Sequence, residues 1–197
     1  VMPYHYYGKM DKEDIYDIIA YIRSLPPIEN KVPDRSIDFP MNFIVNTIPE
    51  KASFVVKPPK SDTIKYGAYL VNAAACMECH TPVKKGQVIP ELAFSGGRDF
   101  HLANGVVNSA NITPDKATGI GGWTAEQFVA RFKAYENPAN LPTMTATDVN
   151  TIMPWTMLGG MDTSDLISIY AYLQTLKPIN HEVVHFVSEK DEKKQKE

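Results

Sequence analysis

The 197-residue chain has few of the residues that usually carry chemistry: two cysteines and five histidines. Two thiols exclude a multi-bridge disulfide scaffold, which needs at least about four. Charge of neither sign dominates, with 20 Lys and Arg against 23 Asp and Glu and a formal net charge of −3. With no basic stripe to neutralise phosphates, there is no reason to expect nucleic acid as a partner. No apolar run approaches the ~18–20 residues that cross a bilayer. No secretory signal is visible either, and the chain reads as though it began inside a domain. Strand-like alternation is equally scarce, with Val183–Val187 the one short candidate.

The two cysteines stand in Cys76-Met77-Glu78-Cys79-His80. In C-x-x-C-H one helical turn presents both sulfurs to one porphyrin edge, where they add across the vinyl groups of heme c. The adjacent His80 ligates iron through Nε2, and its Nδ1 needs an acceptor to fix the ring. A carbonyl in the loop 81–90 is the natural candidate, and Pro90 is the expected one. A thioredoxin-like dithiol would want a βαβ setting, whereas the preceding segment reads as helix. A zinc site would want a second ligand pair, and His101 stands alone.

A gapless internal repeat organises the rest. Segment 1–30 aligns with segment 152–181, so that Met2 falls on Met153 and Asp11 on Asp162, a constant offset of 151 residues. Met-Pro-aromatic, Gly, Met-Asp, Ala-Tyr-aliphatic and Leu-x-Pro-Ile recur in both copies, which points to duplicated modules. Residues 1–30 are therefore expected to be the C-terminal remnant of a first module, with Met2 as a candidate ligand for a second heme in a longer protein. Residues 31–60, rich in Pro, read as a linker whose apolar patch at Phe39–Val45 packs on a domain surface. Residues 61–187 form one complete domain, and 188–197 a charged, disordered tail.

Ser61 or Asp62 can cap a helix to about Ala75, with Ile64, Ala68 and Val71 on one face. Gly67 in its middle costs about 1 kcal/mol against Ala, so it is expected to allow close backbone approach. Thr124-Ala-Glu-Gln127 is a capping box opening a helix to about Tyr135, with Phe128 and Phe132 stacked at i, i+4. Asp162 caps a last helix to Leu176, with Leu166, Ile169, Tyr170, Leu173 and Leu176 as its apolar stripe. Helices 11–25 and 163–176 are copies. The expected class is all-α.

Several residues compete for the position opposite His80. Met153 precedes Pro154 in a helix-free stretch and recurs as Met2, which favours it. Met161 recurs as Met10 but sits where it can pack on Leu166 as a hydrophobic staple. Met157, Met144, His101, His181 and His185 are the remaining rivals. A soft thioether would favour ferrous iron.

Residues 61–181 resemble class I cytochrome c. More narrowly they resemble one module of the multiheme cytochrome c subunits of membrane-bound alcohol, aldehyde and gluconate dehydrogenases. The likeness rests on the motif at 76–82, Ser95-Gly-Gly-Arg98, Ser109-Ala-Asn-Ile-Thr-Pro-Asp115, Gly119-Ile-Gly-Gly-Trp-Thr124 and Met153-Pro-Trp155. It implies a cytochrome c fold, Met153 as axial ligand, and Arg98, Asn111 and Trp123 lining the heme or its propionates. It further implies an electron carrier rather than an enzyme, placed in the periplasm or on the outer face of the cytoplasmic membrane. Its partners would be a dehydrogenase donor and an oxidase or quinone-linked acceptor of a respiratory chain, with peripheral membrane association through a complex. The rival readings are a heme enzyme, either a peroxidase or a thiosulfate-oxidising cytochrome, and a heme-based redox or gas sensor. The departure from the resemblance is the missing first attachment motif, so one heme is expected in this chain.

Overall fold

The computed structural model describes residues 3–141, 143, 145, 148–149 and 151–188, so Met2, Met144 and the 189–197 tail lie outside the described residues. The chain divides into two compact units, Val1–Lys57 and Pro58–Glu197. Residues 31–57 thus cluster with the first repeat copy.

In the first unit, α1 (Tyr4–Tyr7) and α2 (Lys12–Ser24) follow the N-terminus, and a short α3 (Met41–Ile44) follows later. The Asp11 carboxylate caps α2 by accepting from the Glu13 N–H and also accepts from the Lys57 N–H. The connector folds back on the α1–α2 corner, where the Ser53 and Val55 N–H groups donate to the carbonyls of Gly8 and Met10. The expected packing of the Phe39–Val45 patch is not found: Phe39 and Phe43 are exposed and meet edge to face. Pro40 and the four-residue α3 leave these rings on too short an element to bury themselves.

In the second unit, α4 (Thr63–Ala73) is capped by Asp62, whose carboxylate accepts from the Lys65 N–H. It leads into α5 (Cys76–Cys79) through Ala75, in the left-handed conformation at φ 51°. Then come α6 (Ala125–Lys133), α7 (Trp155–Gly159) and α8 (Thr163–Leu173). The Thr124–Gln127 capping box is formed in both directions, and Phe128 lies 5.0 Å from Phe132 between centroids. The helices end two or three residues earlier than the patterning predicts. Asp162 occupies the cap position of α8 but makes no side-chain cap bond.

Helices α4 and α8 cross at Gly67, where a Cβ would fall 1.9 Å from the Ser168 carbonyl oxygen. Only a glycine fits there. The buried face of α4 is Tyr66, Gly67, Tyr69 and Val71, while Ile64 is exposed, so the face predicted from Ile64 and Ala68 is rotated. Val71, Phe94, Ile120, Phe128, Leu166, Ile169 and Leu173 form the core.

The all-α expectation is corrected by five short strands among the described residues. β1 (Val83–Lys84) pairs with β2 (Gln87–Val88) around a two-residue turn, Lys85-Gly86, with both φ positive. β3 (Asp99–Leu102), β4 (Gly105–Asn108) and β5 (Phe186–Ser188) make an antiparallel sheet in that order. The predicted strand at 183–187 is β5, shifted toward the C-terminus.

Candidate functional site: the cysteine–histidine motif and its frame

The site starts with the turn of α5, which carries Cys76 and Cys79 on one helical turn, with His80 as its C-cap. The His80 N–H closes onto the Cys76 carbonyl at 2.9 Å. Both thiols are pushed up by burial, Cys76 to about 12. A reactive dithiol needs a depressed thiol pKa, so this pair is unsuited to disulfide exchange. Among the described residues no three His, Cys, Asp or Glu side chains gather as a metal cluster.

His80 is held from two directions. Its Nδ1 lies 2.8 Å from the Ala110 carbonyl oxygen, an acceptor only, so Nδ1 carries the proton and Nε2 keeps its lone pair. Burial pushes the imidazole down, toward the neutral form that a metal requires. Pro90 is therefore not the acceptor: its carbonyl takes the Ala93 N–H within a 3₁₀ turn over Pro90–Leu92. The acceptor comes instead from 30 residues downstream, because the loop 94–98 sits between α5 and the segment 109–111. At Gly96, with φ +74°, a Cβ would lie 2.4 Å from the Ala110 carbonyl carbon. The Gly96 N–H donates to the His80 carbonyl at 2.8 Å, and the Gly97 N–H to the Ser109 carbonyl at 2.8 Å.

Asn111 fixes the neighbouring peptide. Its amide donates to Thr118 Oγ1 at 3.0 Å and to the Ile179 carbonyl at 2.8 Å, and its oxygen accepts from the Thr113 N–H and hydroxyl. Both donors and the acceptor are thus engaged by protein, which makes Asn111 a support for Ala110. Arg98 reaches back to α5 and donates to both the backbone carbonyl and, at 2.7 Å, the carboxylate of Glu78. This contact steadies the motif.

Met153 is half-buried in the bend ahead of Pro154, its carbonyl accepting the Trp155 N–H at 2.8 Å. Met161 packs against the core cluster that contains Leu166, in agreement with a staple. Met157 is 78% exposed. Trp123 is exposed too, and its carbonyl accepts from the Tyr170 hydroxyl. His101 pairs with Asp99 at an exposed strand position, and His185 is exposed. His181 is half-buried, with Nδ1 3.0 Å from the Ser95 carbonyl.

Two thiols on one turn beside a neutral, oriented imidazole fit a covalently attached heme. Residues 64–177 match the family profile of cytochrome c. The chain belongs to the cytochrome c family. It is similar to the fructose dehydrogenase cytochrome subunit of Gluconobacter japonicus, 34% identical over 119 residues, 60% of this chain and 22% of that protein. It is 33% identical over 111 residues to the gluconate 2-dehydrogenase cytochrome c subunit of Pantoea cypripedii, 55% of this chain and 22% of that protein. A diheme cytochrome c-type protein of Cereibacter sphaeroides is 26% identical over 135 residues, 64% of this chain and 43% of that protein. The chain thus spans about a fifth of the length of the first two relatives.

Proposed function

We propose that this chain carries single electrons on one heme c, as one link in the cytochrome subunit of a dehydrogenase complex. The observation that carries the reading is the Ala110–His80 hydrogen bond at 2.8 Å beside the two cysteines of one turn. Cys76 and Cys79 would anchor the group, and His80 Nε2 and Met153 would hold its iron. When bound, the heme would supply one-electron redox chemistry, the one step the function needs. Around it, Ala110, Gly96 and Arg98 would hold the ligand, and the core of α4, α6 and α8 would exclude water. Arg98 and Trp123 remain the candidates for its edge, although Arg98 is engaged with Glu78. The periplasmic side of the membrane is the proposed location, because heme attachment takes place there, and a respiratory acceptor is the proposed destination. Among the described residues no helix is long and apolar enough to cross a membrane.

The repeat supports a companion reading, that residues 1–30 close a second heme module of a longer protein with Met2 as its ligand. The likeness of subunit names supports the dehydrogenase partner.

The test is a visible spectrum of the matured chain with dithionite and ferricyanide. A reversible c-type spectrum and an intact mass raised by one heme are expected. Met153→Ala should abolish the methionine-to-iron band in the red and open the ferrous form to carbon monoxide, whereas Met161→Leu should do neither. Carbon monoxide binding by the unaltered chain would favour a sensor or heme enzyme instead.

A further inference from the structure

We propose that His181 is a positioning residue for the heme-bearing motif, linked to His80 through the single peptide Ser95–Gly96, and that its ring couples proton occupancy to iron charge. The inference rests on the heme reading above and adds a residue that reading does not use.

The two ends of one peptide unit carry the link. The Ser95 carbonyl oxygen accepts from His181 Nδ1 at 3.0 Å. The Gly96 N–H of that same peptide donates to the His80 carbonyl at 2.8 Å. Because a carbonyl can only accept, Nδ1 must carry a proton, which leaves Nε2 as the nitrogen that gains and loses one. Hydrogen bonds in series polarise one another, so a cationic ring strengthens the Gly96–His80 bond.

The ring is fixed in place. A Cβ on Gly97 would lie 2.8 Å from its Cε1, so it rests on bare backbone. The His181 N–H donates to Thr118 Oγ1 at 3.0 Å, and Thr118 is bound in turn by Asn111. A cavity of about 260 Å³ borders the ring between Pro82, Leu92, Asn108 and Val184. That volume exceeds the roughly 30 Å³ a water occupies, so water can stand beside the ring. The charged groups on the elements packed around it are Glu182 and His185 on its own segment, Asp115 beside Asn180, and Arg98 with its partner Glu78. Asp115 is held below the ordinary carboxylate range by the Thr118 N–H, so it stays an anion and its charge does not change while a histidine titrates.

A proton on His181 disfavours the extra positive charge of ferric iron, so reduction tightens proton binding and protonation raises the potential. Linkage makes the two effects equal. One electron from the external donor is accompanied by fractional uptake of one proton from solvent at Nε2.

The test uses the full, heme-loaded chain. Its midpoint potential should fall as rising pH removes the proton from the His181 ring. His181→Gln, which keeps a donor for Ser95 but cannot titrate, should flatten that slope while preserving the c-type spectrum. The His181 ring, followed by NMR, should bind its proton a few-fold more tightly in the ferrous form. His101→Gln, on an exposed strand, should leave the slope unchanged. An intact c-type spectrum with the same slope in His181→Gln, or equal proton affinity in both redox states, overturns the coupling and leaves electron transfer standing. Absence of a reversible heme spectrum overturns both.

Discussion

The two copies of the repeat share backbone geometry and differ in what covers them. Pro3 and Pro154 have nearly the same dihedrals, φ −77°, ψ 59° and φ −77°, ψ 62°. Asp11 and Asp162 are equally close at φ −65°, ψ 141° and φ −58°, ψ 142°. The Met10 N–H bonds the Tyr7 carbonyl at 3.1 Å, and the Met161 N–H bonds the Leu158 carbonyl at 3.1 Å. Yet Ile169 and Leu173 of α8 are buried, while their counterparts Ile18 and Ile22 of α2 are 42% and 59% exposed. The local sequence encodes the corner and the helix, and the long-range partner decides whether the apolar stripe becomes core. In the second copy that partner is α4, with Gly67 at the crossing.

The largest effect should come from filling that crossing. Gly67→Ala pushes a methyl into the Ser168 backbone, which cannot rotate aside as a side chain would, so a loss of roughly 3 kcal/mol or more is expected. Urea denaturation followed by far-ultraviolet circular dichroism would measure it. An unchanged midpoint would show that the crossing is not a tight contact in solution. Next comes the matched pair. Leu173→Ala, at a site 2% exposed, should cost about 2–5 kcal/mol. Ile22→Ala, at the aligned position, should fall within about 0.5 kcal/mol. Equal costs would mean that α2 is covered. In a longer protein that supplies a partner for α2, Ile22→Ala should approach the cost of Leu173→Ala, which makes the pair a test of the second module.

Much of this was legible in the residues, and the failures share one cause. The attachment motif, the Thr124 capping box, the Phe128–Phe132 pair and the close approach at Gly67 each depend on residues within a few positions, or on the absence of a side chain. They could therefore be read locally. The acceptor for His80 could not, because Ala110 differs from its neighbours in no side-chain property and acts through its carbonyl. Its position follows from Gly96 and from Asn111, whose bonds span up to 68 residues. The β3–β4 hairpin escaped because its four-residue strands are too short for alternation to register. The rotated face of α4 is set by Tyr66 and Tyr69, amphipathic residues whose burial helical spacing alone does not reveal.

The smallest expected effect separates the copies at their caps. The Asp11 carboxylate accepts from the Lys57 N–H first and the Glu13 N–H second, and these bonds hold it below the ordinary carboxylate range. Its contribution to stability is therefore fully present above the carboxylate's unfolded value and is lost as pH falls through the lower folded value. Asp162 makes no cap bond and stands in a long ion pair with Lys60 at 3.9 Å. Amide exchange at Glu13 and Lys57 should accelerate in Asp11→Ala, and in the unaltered chain on acidification below the ordinary carboxylate range, beyond the intrinsic effect of pH on exchange. The first turn of α8 should respond little to Asp162→Ala, because burial of Leu166 holds that turn in place without help from the cap. If the two substitutions loosened their helices equally, the first copy would owe no more to its cap than the second does. The contrast between a helix anchored by its ends and one anchored by its core would then be lost.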